Sequence, residues 1–180
     1  MNETYKVQVQ GLVDDLKAVF THAGLGGEAS EYKLLTQSFL YKFLNDKFLY
    51  QAKILDESNT YENLLAMSEE DYDWLLEDIG TSTAWLKPDQ LIETLHRQQN
   101  ESDFYETFEN TLNQIAIDNN DIFSVHTDGD TAIRLFDERL ITDTISDSSK
   151  RNEVAKAIIN LLARVKFDET IFSQGFDFFS

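Results

Sequence analysis

At 180 residues, with no cysteine and a formal net charge of -18 from 33 acidic against 15 basic side chains, the chain is long enough to bury roughly 70% of its unfolded surface without staples. Disulfide frameworks, thiolate nucleophiles and Cys-based zinc sites are excluded at once, and so acidic a balance repels polyanions at long range. Met1 to Gln10 lacks the basic and then apolar pattern of a secretory signal, and no apolar run approaches a bilayer span, so a cytoplasmic protein without membrane contact is expected.

Leu12, Val13, Leu16, Val19 and Phe20 recur at helical spacing and stop at Gly24-Leu25-Gly26-Gly27, where glycine accommodates a left-handed cap. Ser30 then reads as the N-cap of a helix from Glu31 to about Lys53. Its Leu34, Leu35, Phe39, Leu40, Phe43, Leu44 and Phe48 project in most directions, the mark of a central apolar helix covered on several faces by the first and last helices. Ser68-Glu69-Glu70-Asp71 caps a further helix carrying Trp74, Leu75, Leu76 and Ile79 and closed by Gly80. Pro88 sits just inside the next, through Leu91, Ile92 and Leu95. Another runs from Ser102 through Phe104, Phe108, Leu112, Ile115 and Ile117. The period then changes: Ile122 to Thr127, a turn at Asp128-Gly129-Asp130, and Thr131 to Phe136 spell a small β-hairpin near 122–136. Val154, Ile158, Leu161, Leu162 and Val165 form the stripe of a last helix, whose opposite face carries Glu153, Lys156, Asn160 and Arg164. The expected fold is mainly α, a helical bundle around a central apolar helix with one hairpin, in a single domain over 1–180.

No complete catalytic pattern is present. Gly24 to Gly27 follows a helix rather than a strand, so it reads as a turn and not a phosphate loop. His22, His96 and His126 lack ligand spacing, and Asp118-Asn119-Asn120-Asp121 and Asp128-Gly129-Asp130 lack the spacing and terminal glutamate of a calcium loop. Serine-hydrolase and P-loop motifs do not occur. Catalytic, cofactor-binding and metal residues are therefore expected to be absent.

Charge is unevenly placed. Between Ile54 and Leu86 stand Asp56, Glu57, Glu62, Glu69, Glu70, Asp71, Asp73, Glu77 and Asp78 and no basic residue, which reads as a solvated face. Lys150, Arg151, Lys156, Arg164 and Lys166 make the last helix locally cationic. Within it the spacing of four stacks Lys156, Asn160 and Arg164 into a row able to contact phosphates or a partner subunit.

Ser30-Glu31-Tyr32-Lys33, the phrase Phe39-Leu40-Tyr41-Lys42-Phe43-Leu44-Asn45-Asp46-Lys47-Phe48 and the closing Gln174-Gly175-Phe176-Asp177-Phe178-Phe179-Ser180 resemble the N-terminal domain of the modification subunit of type I restriction-modification DNA methyltransferases. The Tyr-Lys and Asn-Asp-Lys-Phe elements carry most of it, having no packing reason of their own to recur. The resemblance implies an S-adenosylmethionine-dependent, adenine-N6-specific enzyme that flips its target base from double-stranded DNA. Its partners would be a specificity subunit, a second modification subunit and a restriction subunit. The chemistry needs a glycine-rich loop after a strand and an (Asn/Asp)-Pro-Pro-(Tyr/Phe) segment. Pro88 is the only proline, so no family catalytic residue carries over, and residues 1–180 would be the non-catalytic front of a longer chain, with the cofactor held elsewhere in it. The acidic segment from Asp56 to Asp78 departs from the family's commonest pattern. The alternative from a different class is a stand-alone acidic interaction protein or DNA mimic.

Overall fold

The computed structural model describes residues 3–120, 135–167 and 169–173, and these are mainly helical. Helix α1 (Glu3–His22) buries Tyr5, Leu12, Leu16 and Phe20 on one face. It ends as the glycines predict: the Leu25 amide donates to the Phe20 carbonyl (2.8 Å), and Gly24 takes a φ of 84°, open to a residue without a Cβ.

Helix α2 (Ala29–Leu55) begins before the expected Ser30 cap. Glu28 is its N-cap and offers no side-chain bond; the Glu31 carboxylate instead reaches back to the Gly27 amide (2.7 Å), so an acid in the first turn takes the role foreseen for the serine. Ser38 through Asn45 are buried without interruption, followed by Phe48 and Ala52. Helix α2 packs mainly against α1, α4 (Glu69–Ile79) and α7 (Ser148–Arg164).

A short α3 (Tyr61–Ala66), capped by the Thr60 hydroxyl, was not legible beforehand, because Leu64 is its only buried residue. In α4, Ser68 caps as expected (3.1 Å to the Asp71 amide) and Gly80 closes the helix, but the buried face differs. Tyr72 goes inward with Leu75, Leu76 and Ile79, whereas Trp74 faces out, 60% exposed. The tyrosine can be buried because its hydroxyl donates to the Leu86 carbonyl (2.5 Å) and its ring stacks with Phe48 of α2.

Pro88 opens a separate 3-10 turn, Pro88–Gln90, rather than α5 (Ile92–Arg97), because Leu91 between them is extended. The Gln90 side chain closes this turn by accepting from the Lys87 amide (2.9 Å) and donating to Asp118 (3.0 Å). Helix α6 (Phe104–Asp118) starts after Asp103, in the left-handed region at φ 54°, and not at Ser102; Ile117, expected in its stripe, is exposed. At its end the Asn119 amide clamps the Trp85 backbone, accepting from its N–H (2.7 Å) and donating to its carbonyl (2.8 Å). Asn119→Ala is expected to lose about 2 kcal/mol in urea denaturation, since three hydrogen bonds go, including the one to the Ile115 carbonyl, and among the described residues the Trp85 backbone groups have no other partner.

The hairpin expected near 122–136 lies outside the described residues apart from Leu135 and Phe136, which form a bend. From there to Asp147 the chain buries Phe136, Leu140, Ile141 and Ile145 and is tied down by side chains of α2 and α6. Gln37 accepts from the Asp137 amide (2.9 Å), Asn113 donates to the Glu138 carbonyl (2.6 Å), and Glu109 accepts from the Thr142 hydroxyl (2.5 Å). Asp147 caps α7, which packs on α1, α2, α5 and α6 through Val154, Ala155, Ile158, Ile159, Leu161 and Leu162. A last short helix, α8, spans Thr170–Ser173.

Candidate functional site

Among the described residues no group of three His, Asp or Glu side chains is placed to hold a metal ion. His22 ends α1 on the surface, His96 lies 4.0 Å from Glu93, and His126 is outside the described residues. Asp118 accepts from Gln90 and Gln114 and stands 3.7 Å from the Lys87 ammonium, so it knits the 3-10 turn to α6. Among the described residues no helix is long and apolar enough to cross a membrane.

The row foreseen on the last helix exists as a face of α7, with Lys156 half-buried and Asn160 and Arg164 exposed. Two of the three also hold neighbours: Asn160 donates to Gln99 (2.9 Å), and the Arg164 guanidinium stands 3.7 Å from Asp15 of α1. That ion pair is exposed at both ends and so weakly held that Arg164 stays available to another anion. Arg151, counted with the cationic stretch, instead turns inward. Its guanidinium donates to the Ile145 (2.5 Å) and Thr142 (3.2 Å) carbonyls over the Tyr105 ring, because the loop before α7 leaves those carbonyls unpaired.

A second polar cluster was not foreseen as one. Lys42, Asn45 and Asp46 stand on the buried run of α2 at the floor of an open groove of about 610 Å3, whose walls include Tyr50, Lys53, Tyr61, Arg97, Lys166 and Phe172. The Lys42 ammonium meets Asp46 at 3.0 Å, donates to the Val165 carbonyl and lies over the Phe167 ring. Asn45 accepts from the Ile92 amide (2.9 Å), which opens α5, and donates to Asp46 (3.0 Å). Burial pushes the Asp46 carboxyl above its ordinary range, against the opposing pull of Lys42, Asn45 and the Phe167 amide. These groups satisfy one another, so the cluster is a latch joining α2, the start of α5 and the 165–167 segment. A lysine and an asparagine inside a run apolar on every side were the available signal, since buried polar groups require partners.

The resembling phrase therefore does have packing reasons. Tyr41 donates to the Gln90 carbonyl (2.6 Å), Lys42, Asn45 and Asp46 form the latch, and Phe48 stacks with Tyr72. Tyr32 is exposed and Lys33 pairs loosely with Asp137 (3.4 Å).

On the far side of α4, Glu69, Glu70, Asp73, Trp74 and Glu77 line a shallow concavity of about 450 Å3. No family model, curated protein or solved structure matches this chain.

Proposed function

We propose that the chain is the non-catalytic N-terminal module of the modification subunit of a type I restriction-modification adenine-N6 DNA methyltransferase, a bundle centred on α2 that supports subunit assembly and closure on DNA. One observation carries this reading. The residues of the resembling phrase are the ones that fix the arrangement of the bundle: Tyr41 holds the 3-10 turn, Asn45 the start of α5, Lys42 and Asp46 the 165–167 segment, and Phe48 helix α4. A phrase that sets the positions of four elements ties its sequence to one architecture, so a shared phrase is an argument for a shared module.

In this reading the catalytic domain of the same subunit would hold S-adenosylmethionine, and the face of α7 bearing Lys156, Asn160 and Arg164 would meet double-stranded DNA or a neighbouring subunit in the complex with the specificity, second modification and restriction subunits. The intact subunit is expected to bind S-adenosylmethionine in calorimetry while residues 1–180 alone do not. In the assembled complex Lys156→Glu with Arg164→Glu is expected to weaken duplex binding about tenfold and to flatten its salt dependence by about two phosphate contacts. Unchanged affinity together with unchanged assembly would remove α7 from the interface. Cofactor binding by residues 1–180 alone, or an intact subunit that neither binds S-adenosylmethionine nor methylates adenine, would remove the methyltransferase reading and leave the acidic interaction protein in its place.

A further inference from the structure

We infer that the outer face of α4 is a docking surface for an arginine-bearing segment of a basic partner protein, with the Trp74 indole as its anchor. This inference stands apart from the methyltransferase reading and uses a different face of the bundle.

Two separate costs meet on this face. Glu69, Asp73 and Glu77 follow one another at intervals of four, with Glu70 beside them, and like charges so spaced repel along a helix. Among the described residues none of the four carboxylates forms an ion pair, so no cation of the chain offsets that repulsion. In the middle of them Trp74 is left 60% exposed while Tyr72, two residues earlier, is buried. Trp, Tyr and Arg are enriched among the side chains that carry most of the binding energy of protein interfaces. A single occupant relieves both costs: a guanidinium laid on the indole, within reach of the carboxylates on either side.

The same chain shows that arrangement complete elsewhere. The Arg97 guanidinium lies 4.9 Å from the centre of the Tyr61 ring while bonding to Glu62 (2.5 Å) and Glu93 (3.4 Å). An aromatic ring and flanking carboxylates recur on α4 without the arginine. Other occupants fit less well. A nucleic acid is repelled by the carboxylates, a second copy brings another -18 charge, and no three acids on this face converge to hold a metal ion.

The test is fluorescence anisotropy of a labelled peptide of alternating arginine and glycine titrated with the full chain at physiological salt. Trp74→Ala is expected to weaken binding about tenfold and Trp74→Phe, which keeps an aromatic face, to retain most of it. Glu70→Gln with Glu77→Gln is expected to cost about as much as Trp74→Ala. Glu101→Gln with Glu153→Gln, the same change of charge at two other exposed positions, is expected to leave affinity within about twofold. Equal losses from the two double variants would show general attraction to an acidic protein, and binding that ignores Trp74→Ala would show that the indole is no anchor. Either result overturns the inference.

Discussion

Asp46→Ala is expected to destabilise the fold by about 3 to 5 kcal/mol, because it removes the hydrogen-bond acceptor shared by the Lys42 ammonium, the Asn45 amide and the Phe167 backbone and leaves these buried donors without it. Both members of the pair are well out of solvent, with side-chain exposures of 5% and 16%. Lys42→Met should cost a similar amount by stranding the carboxylate. The informative variant is the double one. Replacing the pair together, as Lys42→Met with Asp46→Leu, removes both charges and both desolvation penalties, and is expected to be less damaging than either single change. Urea denaturation of the four proteins measures the coupling directly. If the two single losses simply add in the double variant, the pair does not act as a unit.

The same carboxyl sets a pH dependence. Burial raises its pKa in the folded chain above the unfolded value of 3.8. A carboxyl so shifted takes up its proton more readily when folded. Its contribution to stability is thus full below 3.8 and is lost as pH rises through the folded value. Relative to Asp46→Asn, which does not titrate, the parent protein should therefore gain stability as pH falls from neutrality toward 3.8. Asp46 thus opposes acid unfolding.

Helices with strong 3.6-residue periodicity and glycine or serine punctuation could be read in advance: α1 to Gly24, α4 from Ser68 to Gly80, α7 by its Val154, Ile158 and Leu162 stripe. Periodicity ranks side chains by how apolar they are. It therefore placed Trp74 inside and passed over Tyr72, although the deciding quantity was a partner, the Leu86 carbonyl, that exists only once the chain has folded. The same blindness hid the latch. Lys42 and Asn45 were visible as polar residues in an apolar run, but the backbone groups they satisfy lie more than forty residues away, at Val165 and Ile92. The α7 row was legible as a face because spacing alone determines it. Its ties to Gln99 and Asp15 were not, since they depend on how α7 meets α1 and the end of α5.

Phe48→Ala should cost about 3 to 5 kcal/mol, while Tyr32→Ala, at the start of the same resembling stretch, should change stability by less than about 0.5 kcal/mol. Phe48 is wholly buried, and its ring stacks with Tyr72 at a centroid distance of 6.4 Å, joining α2 to α4. Truncation opens a cavity lined by a side chain that cannot relax into it, since the Tyr72 hydroxyl is held by the Leu86 carbonyl. Tyr32 projects from the first turns of α2 with 69% of its surface exposed, so removing it uncovers little. The contrast separates two reasons for which a phrase can be shared between proteins. Residues such as Phe48 and Asn45 would recur because the bundle requires them. Tyr32 has no such reason, so if it too is shared through common function, its loss should appear in assembly of the proposed complex and not in thermal or urea denaturation. Measuring both for Tyr32→Ala decides which reason applies: normal stability with impaired assembly assigns the start of α2 to a subunit contact, and normal values of both leave the architecture of the bundle as the whole content of the resemblance.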